Sequence, residues 1–378
     1  MKKTGILGGG QLGRMLIQSG IDFDIELHVL DPDPSAPCRN LASRFVVGSL
    51  QDYETVYNFG KELDLITIEI EKVNVEALEA LSALGVEVYP QPEVVRIIQD
   101  KRTQKEFFAK HNLPTSPFVR IDSKEDLYRY AGFLPAFLKL ARDGYDGRGV
   151  MPVNLESDFF QAFEEPCVLE KKVSVYKELS VIVAQNSKRE LSVFPAVELV
   201  FDPRYNLVDF LLQPAQIDPQ TEKEAQEIAL QVIQKLDMVG VLAVELFLTA
   251  DKQILINEIA PRPHNSGHQT IEANYTSQYQ QHWRAILGLP LGDTGLKSPA
   301  AMLNLVGAEF YNGDAVYKGL EEALQIPRTY IHIYGKKTTK PGRKMGHITL
   351  LDSNILHLLE QTKLLKDKVR VVAKTPEL

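Results

Sequence analysis

Short apolar runs alternate with stretches whose apolar residues recur at helical spacing, starting near the amino terminus. Thr4 to Leu7 reads as a strand, a glycine turn follows, and a helix runs on from Arg14. Residues 25 to 30, Asp64 to Glu69 and Val86 to Tyr89 are further strands, with a helix over Val75 to Leu84; Pro90 and Pro92 close the unit. This order predicts a small parallel α/β domain of roughly 100 residues. Next, a helix from Asp100 to His111 is stopped by Leu113-Pro-Thr-Ser-Pro117. Ala136 to Leu140, Cys167 to Glu170, Glu178 to Ala184 and Leu191 to Val200 read as strands. Glu222 to Leu236 is helical, because Ala225, Ile228, Ala229, Val232, Ile233 and Leu236 share one face. Residues 300 to 378 read as short strands and turns with a helix near 353–365. The fold class is mixed, α/β and α+β.

The most informative strands are Val241 to Leu248 and the run beginning at Gln253, joined by Thr249-Ala-Asp-Lys252. A hairpin centred between Asp251 and Lys252 sets Glu245 opposite Glu258. Two carboxylates facing each other on apolar strands repel. A surface hairpin with incidental glutamates is the simpler account. The apolar flanks favour instead a semi-buried site, where a hard divalent ion such as Mg2+, shared with substrate phosphates, removes the repulsion. Pro261 and Pro263 then break the second strand into a rigid loop that holds Arg262, His264, Asn265, Ser266 and His268.

Composition narrows the class. A chain of 378 residues predicts two or three domains. An apolar fraction of 44% and a charged fraction of 24% fit a soluble globular protein. The net charge of -8 argues against a general nucleic-acid binder, so any phosphate site is local. Cys38 and Cys167 form no disulfide framework and sit in no metal-type spacing. Glycines interrupt the opening apolar run and no run spans a bilayer, so we expect a cytoplasmic protein without a membrane partner.

Four local patterns then carry chemistry. Gly8-Gly-Gly-Gln-Leu-Gly13 lies between a strand and a helix, and Asp31 ends the next strand, which fits the dinucleotide-binding fingerprint. Such glycines let a helix N-terminus approach any anion, so the match speaks for the fold more than for NAD. Glu69 and Glu71 fall near a strand's C-terminal end, either at a ligand site or as solvated loop carboxylates. Lys139 is the only charge on its strand and invites a phosphate partner. The loop Arg142 to Val150 is rich in glycine, so its backbone N–H groups can fold over phosphates, though it lacks the Gly-Lys-Ser/Thr ending of a Walker loop. Finally, Lys336 to Lys344 holds five basic residues in nine, which suits a phosphomonoester dianion better than a solvated loop.

Lysine on a strand, a glycine-rich loop, a Glu-Lys-Lys-Val connector and a later glutamate pair resemble the ATP-grasp ligases in type and order. Within them the chain resembles the N5-carboxyaminoimidazole ribonucleotide synthetase family of purine biosynthesis. The resemblance rests on Gly8 to Arg14, Gly144 to Gly149, Glu178-Leu-Ser180, Asn257 to His268 and Tyr334-Gly-Lys336. It implies an ATP-grasp fold with a Rossmann-like pre-ATP-grasp domain over 1–99, an ATP-grasp domain over 100–295 with a lid at about 118–173, and a small β-rich C-terminal domain over 296–378. It implies that Lys101 and Lys139 meet ATP phosphates, under a lid of Gly144, Tyr145, Asp146, Gly147, Arg148, Gly149 and Val150. Glu170, Lys171, Lys172 and Val173 would hold adenine, Glu178 the ribose, and Glu245 and Glu258 the Mg2+ beside Asn257. Tyr145, Asp146, Arg262, His264 and Asn265 would line the aminoimidazole and bicarbonate pocket. Lys336, Arg343 and Lys344 would take the ribotide phosphate, and Gln11, Leu12 and Glu69 would contact the same substrate. A homodimer is implied as well.

Two departures from the family pattern stand out. Ala260 occupies a position where many relatives carry a metal-binding Asn, leaving a second Mg2+ to phosphates, water or Asn257. Leu199-Val-Phe201 follows Pro195-Ala-Val-Glu198 where relatives often place a nucleotide-proximal His. The expected reaction is phosphorylation of bicarbonate to carboxyphosphate, then capture by the amine of aminoimidazole ribonucleotide, with Asp146 or His264 handling the amine proton. The competing readings are a sister ligase with another amine and carboxylate, a nicotinamide dehydrogenase built on Gly8 to Gly13, and a non-catalytic nucleotide sensor.

Overall fold

A computed structural model describes residues 2–144, 149–202 and 207–374. In the first hundred residues β1 (Lys3–Leu7), β2 (Glu26–Asp31), β3 (Arg44–Val47), β4 (Leu65–Ile68) and β5 (Glu87–Val88) form a parallel sheet in the order β3-β2-β1-β4-β5. Helices α1 (Gln11–Gly20), α2 (Tyr53–Gly60) and α3 (Val75–Leu84) make its crossovers. Asp52 and Asn74 start α2 and α3 by accepting the backbone N–H of Thr55 and Ala77. Three elements go beyond the sequence expectations: the short edge strand β3, helix α2, and helix α4 (Pro92–Ile98). Pro92 closes nothing; it opens α4 at a first-turn position, where its missing N–H costs no hydrogen bond.

Helix α5 (Lys101–Lys110), capped by Asp100, leads into a four-stranded antiparallel sheet ordered β6-β9-β7-β8. Its strands are β6 (Phe118–Ile121), β7 (Ala136–Leu140), β8 (Val150–Val153) and β9 (Cys167–Lys171). The next sheet begins with β10 (Val175–Gln185), β11 (Leu191–Val193), β12 (Val197–Asp202) and β13 (Leu207–Gln213). The single strand expected over Leu191 to Val200 is thus two, split where Pro195 cannot donate to a ladder. Helix α6 (Pro219–Leu236) follows, then β14 (Gly240–Thr249) and β15 (Ile254–Ala260). All six apolar residues chosen for the face of α6 are buried, and they pack on Leu179, Val181, Leu242, Val244, Leu246 and Ile256.

The chain continues through α7 (Thr270–Ala273), α8 (Gln278–Ile286), β16 (Ala300–Val306), β17 (Gly313–Lys318), α9 (Leu320–Leu324), β18 (Thr329–Ile333), β19 (Thr338–Thr339), β20 (Lys344–Leu351), α10 (Ile355–Lys368) and β21 (Arg370–Ala373). Strands β16, β20 and β18 extend the large sheet, giving the path β15-β14-β10-β12-β13-β16-β20-β18. Three of the C-terminal strands therefore share one sheet with the paired glutamates, while β19, β17 and β21 form a separate three-stranded sheet. Trp283 of α8, fully buried, donates its indole N–H to the carbonyl of Leu16, fastening α8 onto α1 of the first domain. Among the described residues no helix is long and apolar enough to cross a membrane.

Candidate functional site

The β14–β15 hairpin centres the site. Near its turn Leu248 pairs with Ile254 and Leu246 with Ile256, so the ladder there is centred on Asp251, half a residue earlier than the sequence arithmetic assumed. A bulge then intervenes, with Asn257 as the extra residue, and Glu245 faces Glu258 after all. The bulge is what matters for function. Ile254 and Ile256 point into the α6 core, so an unbroken period of two would drive Glu258 in after them. The extra residue turns Glu258 to the opposite face, beside Glu245, and returns Ile259 to the core.

Around the pair sit three lysines. Lys101, at the start of α5, reaches Glu258 Oε2 at 2.5 Å. Lys139 of β7 donates to Asn257 Oδ1 at 3.0 Å and lies 3.2 Å from Glu170. The third, Lys105, was not singled out in the sequence; it is 2% exposed and lies 3.1 Å from Glu170. One helical turn after Lys101, it points the same way. Burial pushes Lys105 down to about 8. Burial also opposes ionisation of Glu170, but Lys139 and Lys105 outweigh it and hold that carboxylate below its usual range. The Glu170 side chain thus serves the lysines, leaving only its backbone for a base. Lys171, next along, directs its ammonium to the carbonyls of Phe133 and Leu134, and Lys172 is exposed.

The two glutamates divide sharply. Lys101 draws Glu258 down to about 2, while burial and the charge of Glu258 push Glu245 up to about 8. Glu258 is still 43% exposed on its cleft side. Glu178 of β10 is pushed up to about 7 by burial, against the pull of Lys139. Among the described residues no group of three or more His, Cys, Asp or Glu is placed to hold a metal. The protein thus offers a cation two carboxylates and the Asn257 amide, a hard-oxygen set that suits Mg2+, which keeps waters and phosphate oxygens as its other ligands.

Beyond β15 the loop expected to face the second substrate is present. Arg262 lays its Nε and Nη2 edge on Glu71, at 2.9 and 3.1 Å, and Nη1 donates to Pro263 O. The sequence leaves Glu71 either at a ligand site or as a solvated loop carboxylate; here it aims the guanidinium. His264 Nε2 lies 3.7 Å from Glu245, and Nδ1 lies 2.9 Å from the Ser266 hydroxyl, which also meets Ser180 Oγ at 2.7 Å. The Asn265 amide is buried, and neither its oxygen nor its nitrogen has a partner among the described residues. Of the lid, Gly144, Gly149 and Val150 are described; Gly149 has a φ of 73° and sits against Leu140. Tyr145, Asp146, Gly147 and Arg148 lie outside the described residues.

The basic loop spans β18 to β20. Lys336 donates to the Lys344 carbonyl at 2.7 Å, and Arg343 to Thr338 O and Oγ1. Arg14 of α1 comes against Gly335, whose hypothetical Cβ would lie 2.9 Å from Arg14 Nη1. Gln11 and Leu12 open α1, and the Leu12 side chain packs in the core.

Glu69, expected at the substrate, accepts from Gly10 N at 2.7 Å and Gly13 N at 2.5 Å, capping α1 from within. Asp31 likewise accepts from Gly9 N at 2.6 Å. A Cβ on Gly10 would lie 2.5 Å from Glu69 Oε1, so the glycine makes room for the protein's own carboxylate where a dinucleotide phosphate would sit.

A lid sheet and a large antiparallel sheet, closing lysines and paired glutamates over one cleft, define an ATP-grasp ligase. Residues 1–99, 106–279 and 300–361 match, in turn, the ribonucleotide synthetase preATP-grasp domain, the ATP-grasp domain and the phosphoribosylaminoimidazole carboxylase C-terminal domain. The N5-carboxyaminoimidazole ribonucleotide synthase of Bacillus subtilis is 37% identical over 92% of this chain and 90% of its own length. The chain belongs to the N5-carboxyaminoimidazole ribonucleotide synthetase family. The Thermotoga maritima synthetase structure superimposes with a TM-score of 0.92 at 41% identity, covering 99% of this chain and 100% of that one. The synthase of Aspergillus clavatus, solved with ADP and 5-aminoimidazole ribonucleotide, gives 0.88 at 34%, covering 97% and 98%.

Proposed function

We propose that this chain uses ATP to join bicarbonate to the exocyclic amine of 5-aminoimidazole ribonucleotide, releasing ADP and phosphate and forming N5-carboxyaminoimidazole ribonucleotide for purine biosynthesis. The observation that carries this reading is the bulged hairpin, which gathers Glu245, Asn257, Glu258, Lys101 and Lys139 at the foot of the Arg262–His268 loop. Lys101 and Lys139 take the ATP phosphates, the 144–150 loop covers them, the backbone of residues 170–173 holds adenine, and Glu178 accepts from the ribose hydroxyls. Mg2+ held by Glu245 and Glu258 would neutralise charge on the transferring phosphoryl group.

The γ-phosphoryl group passes to a bicarbonate oxygen, giving carboxyphosphate and ADP. The amine nitrogen then attacks the carboxyl carbon, phosphate leaves, and the amine proton goes to His264 or Asp146. Arg262, aimed by Glu71, offers its Nη edge to the planar bicarbonate. The unpartnered Asn265 amide supplies further hydrogen bonds to the aminoimidazole. Lys336, Arg343 and Lys344, with the backbone of Gln11 and Leu12, hold the ribotide phosphate. The same reading includes a cytoplasmic homodimer.

An assay of ADP release tests it. Release should require both bicarbonate and aminoimidazole ribonucleotide, and release indifferent to either would sink the assignment. Arg262→Lys keeps the charge but loses the fork to Glu71, and is expected to cut kcat by about 100-fold, the effect of a misplaced reacting group.

A further inference from the structure

Beneath the Arg262–His268 loop lies a stack of rings that the reaction above leaves unused. His268, which ends the loop, stacks on His347 of β20 with centroids 4.7 Å apart. His347 stacks in turn on His332 of β18 at 4.4 Å, because the two are opposed in the β18–β20 ladder. Each ring is pinned at its rim. The Tyr279 hydroxyl lies 2.9 Å from His268 Nδ1, the Tyr334 hydroxyl 3.0 Å from His347 Nδ1, and Glu272 Oε1 2.7 Å from His332 Nε2.

His268 and His347 are almost wholly buried, and burial drives both well below the usual histidine range, so both rings are neutral. A neutral imidazole still has one donor and one acceptor to satisfy. Yet His347 Nε2 and the second oxygen of Glu272 have no partner among the described residues. An apolar core at this place would leave no such orphans, so packing stability alone does not account for three histidines.

Two contacts of the stack explain its position. Beside the middle ring, His347, the Tyr334 ring lies under the Lys336 ammonium, 5.8 Å from centroid to Nζ, and meets His268 edge-on at 6.2 Å. At one end, His268 follows the short turn Asn265–Gly267, whose Ser266 hydroxyl meets His264 Nδ1. We infer that His347 is a positioning residue, coupling occupation of the ribotide-phosphate loop to the setting of His264 and Arg262 over bicarbonate. The inference rests on the roles assigned to those two loops above. Close-packed rings transmit small displacements, since a protein interior does not compress. A phosphate on Lys336 fixes Tyr334, Tyr334 and the stack fix His347, and His347 fixes the foot of the loop that carries His264.

The test compares His347→Gln, which removes the ring, with His347→Phe, which retains a ring for stacking. Calorimetry gives the Kd for aminoimidazole ribonucleotide, and steady-state ADP release gives kcat. In His347→Gln the Kd should stay within about threefold of the parent's while kcat falls about 20-fold or more, a split that marks lost positioning. His347→Phe should recover most of kcat. Three outcomes overturn the inference: Kd and kcat deteriorating together, kcat holding while only the melting temperature drops, or His347→Phe failing as badly as His347→Gln with its fold intact. If His347→Gln does not fold, His347→Leu, which fills the space without a ring, decides by the same Kd–kcat split against His347→Phe. A parent enzyme whose ADP release ignores the ribotide would instead sink the reading of function on which the inference stands.

Discussion

Two places in this molecule are built to receive negative charge, and they are finished differently. At the start of α1 the glycine turn collects backbone N–H groups, and the protein fills the position itself with Glu69 and Asp31. Around β15 the lysines also have carboxylate partners, but Lys101 rests on Glu258, whose other side opens on the cleft. An anion site filled by the protein's own part-buried carboxylates is architecture. A cation site whose partner still faces solvent can exchange that partner for a phosphate. The glycine fingerprint speaks for the fold more than for NAD, and the N–H groups of the turn meet the protein's own carboxylates.

The largest effect that would sharpen the contrast comes from the open side. Glu258→Gln removes the charge that balances Lys101 and half of the carboxylate pair offered to Mg2+. We expect kcat to fall by about 10³-fold, the scale of losing one aimed electrostatic group, with ATP still bound. ADP-release kinetics and nucleotide calorimetry on the same variant check this. Retained turnover would return the glutamate pair to an incidental surface hairpin.

The closed side should answer in stability first. Glu69→Gln leaves one N–H of the glycine turn facing an amide NH2 group and removes the charge that favours the α1 N-terminus. The cost is expected at about 1–3 kcal/mol for the orphaned donor, read as a lower urea midpoint. Calorimetry should detect no NAD binding in either form. If Glu69→Gln gains NAD affinity, the turn is a blocked cofactor site and the contrast breaks.

Much of this was legible in the residues, because charge on apolar strands needs a reason. Lys139, Glu245 and Glu258 stood out on that ground, and the structure gathers them. What escaped had no local mark. Lys105 sits in Lys101-Arg-Thr-Gln-Lys105, where it reads as any solvent-facing helical lysine until Glu170, some sixty residues on, draws it inside. The bulge at Asn257 is one inserted residue, and the pairing came out right because the assumed turn centre differed from the true one by the half residue that the bulge restores. The histidine stack draws on positions 268, 332 and 347, which only the β18–β20 register and the fold of the loop bring together. Pro195 was a signal available in the sequence, and reading Leu191 to Val200 through it as one strand ignored the missing donor.

The smallest predicted effect tests whether Lys105 belongs to the open side. Its folded-state value of about 8 lies below the ordinary 10.5 because of burial, and Glu170 only partly compensates. Between those values the unfolded chain binds a proton that the native state has released, so raising the pH favours the native state. The lysine's contribution to stability is thus complete above pH 10.5 and declines as pH falls toward 8. The slope has a ceiling of about 1.4 kcal/mol per pH unit. Lys105→Met keeps the length of the side chain and removes the titration. The difference in urea midpoint between parent and variant should therefore move in the parent's favour from pH 8 to pH 10. A difference that stays flat would mean that Glu170 holds the lysine charged throughout. Lys105 would then be a fixed counterion, closed off as Glu69 is, and the line between the two sites would run through the lysine cluster itself.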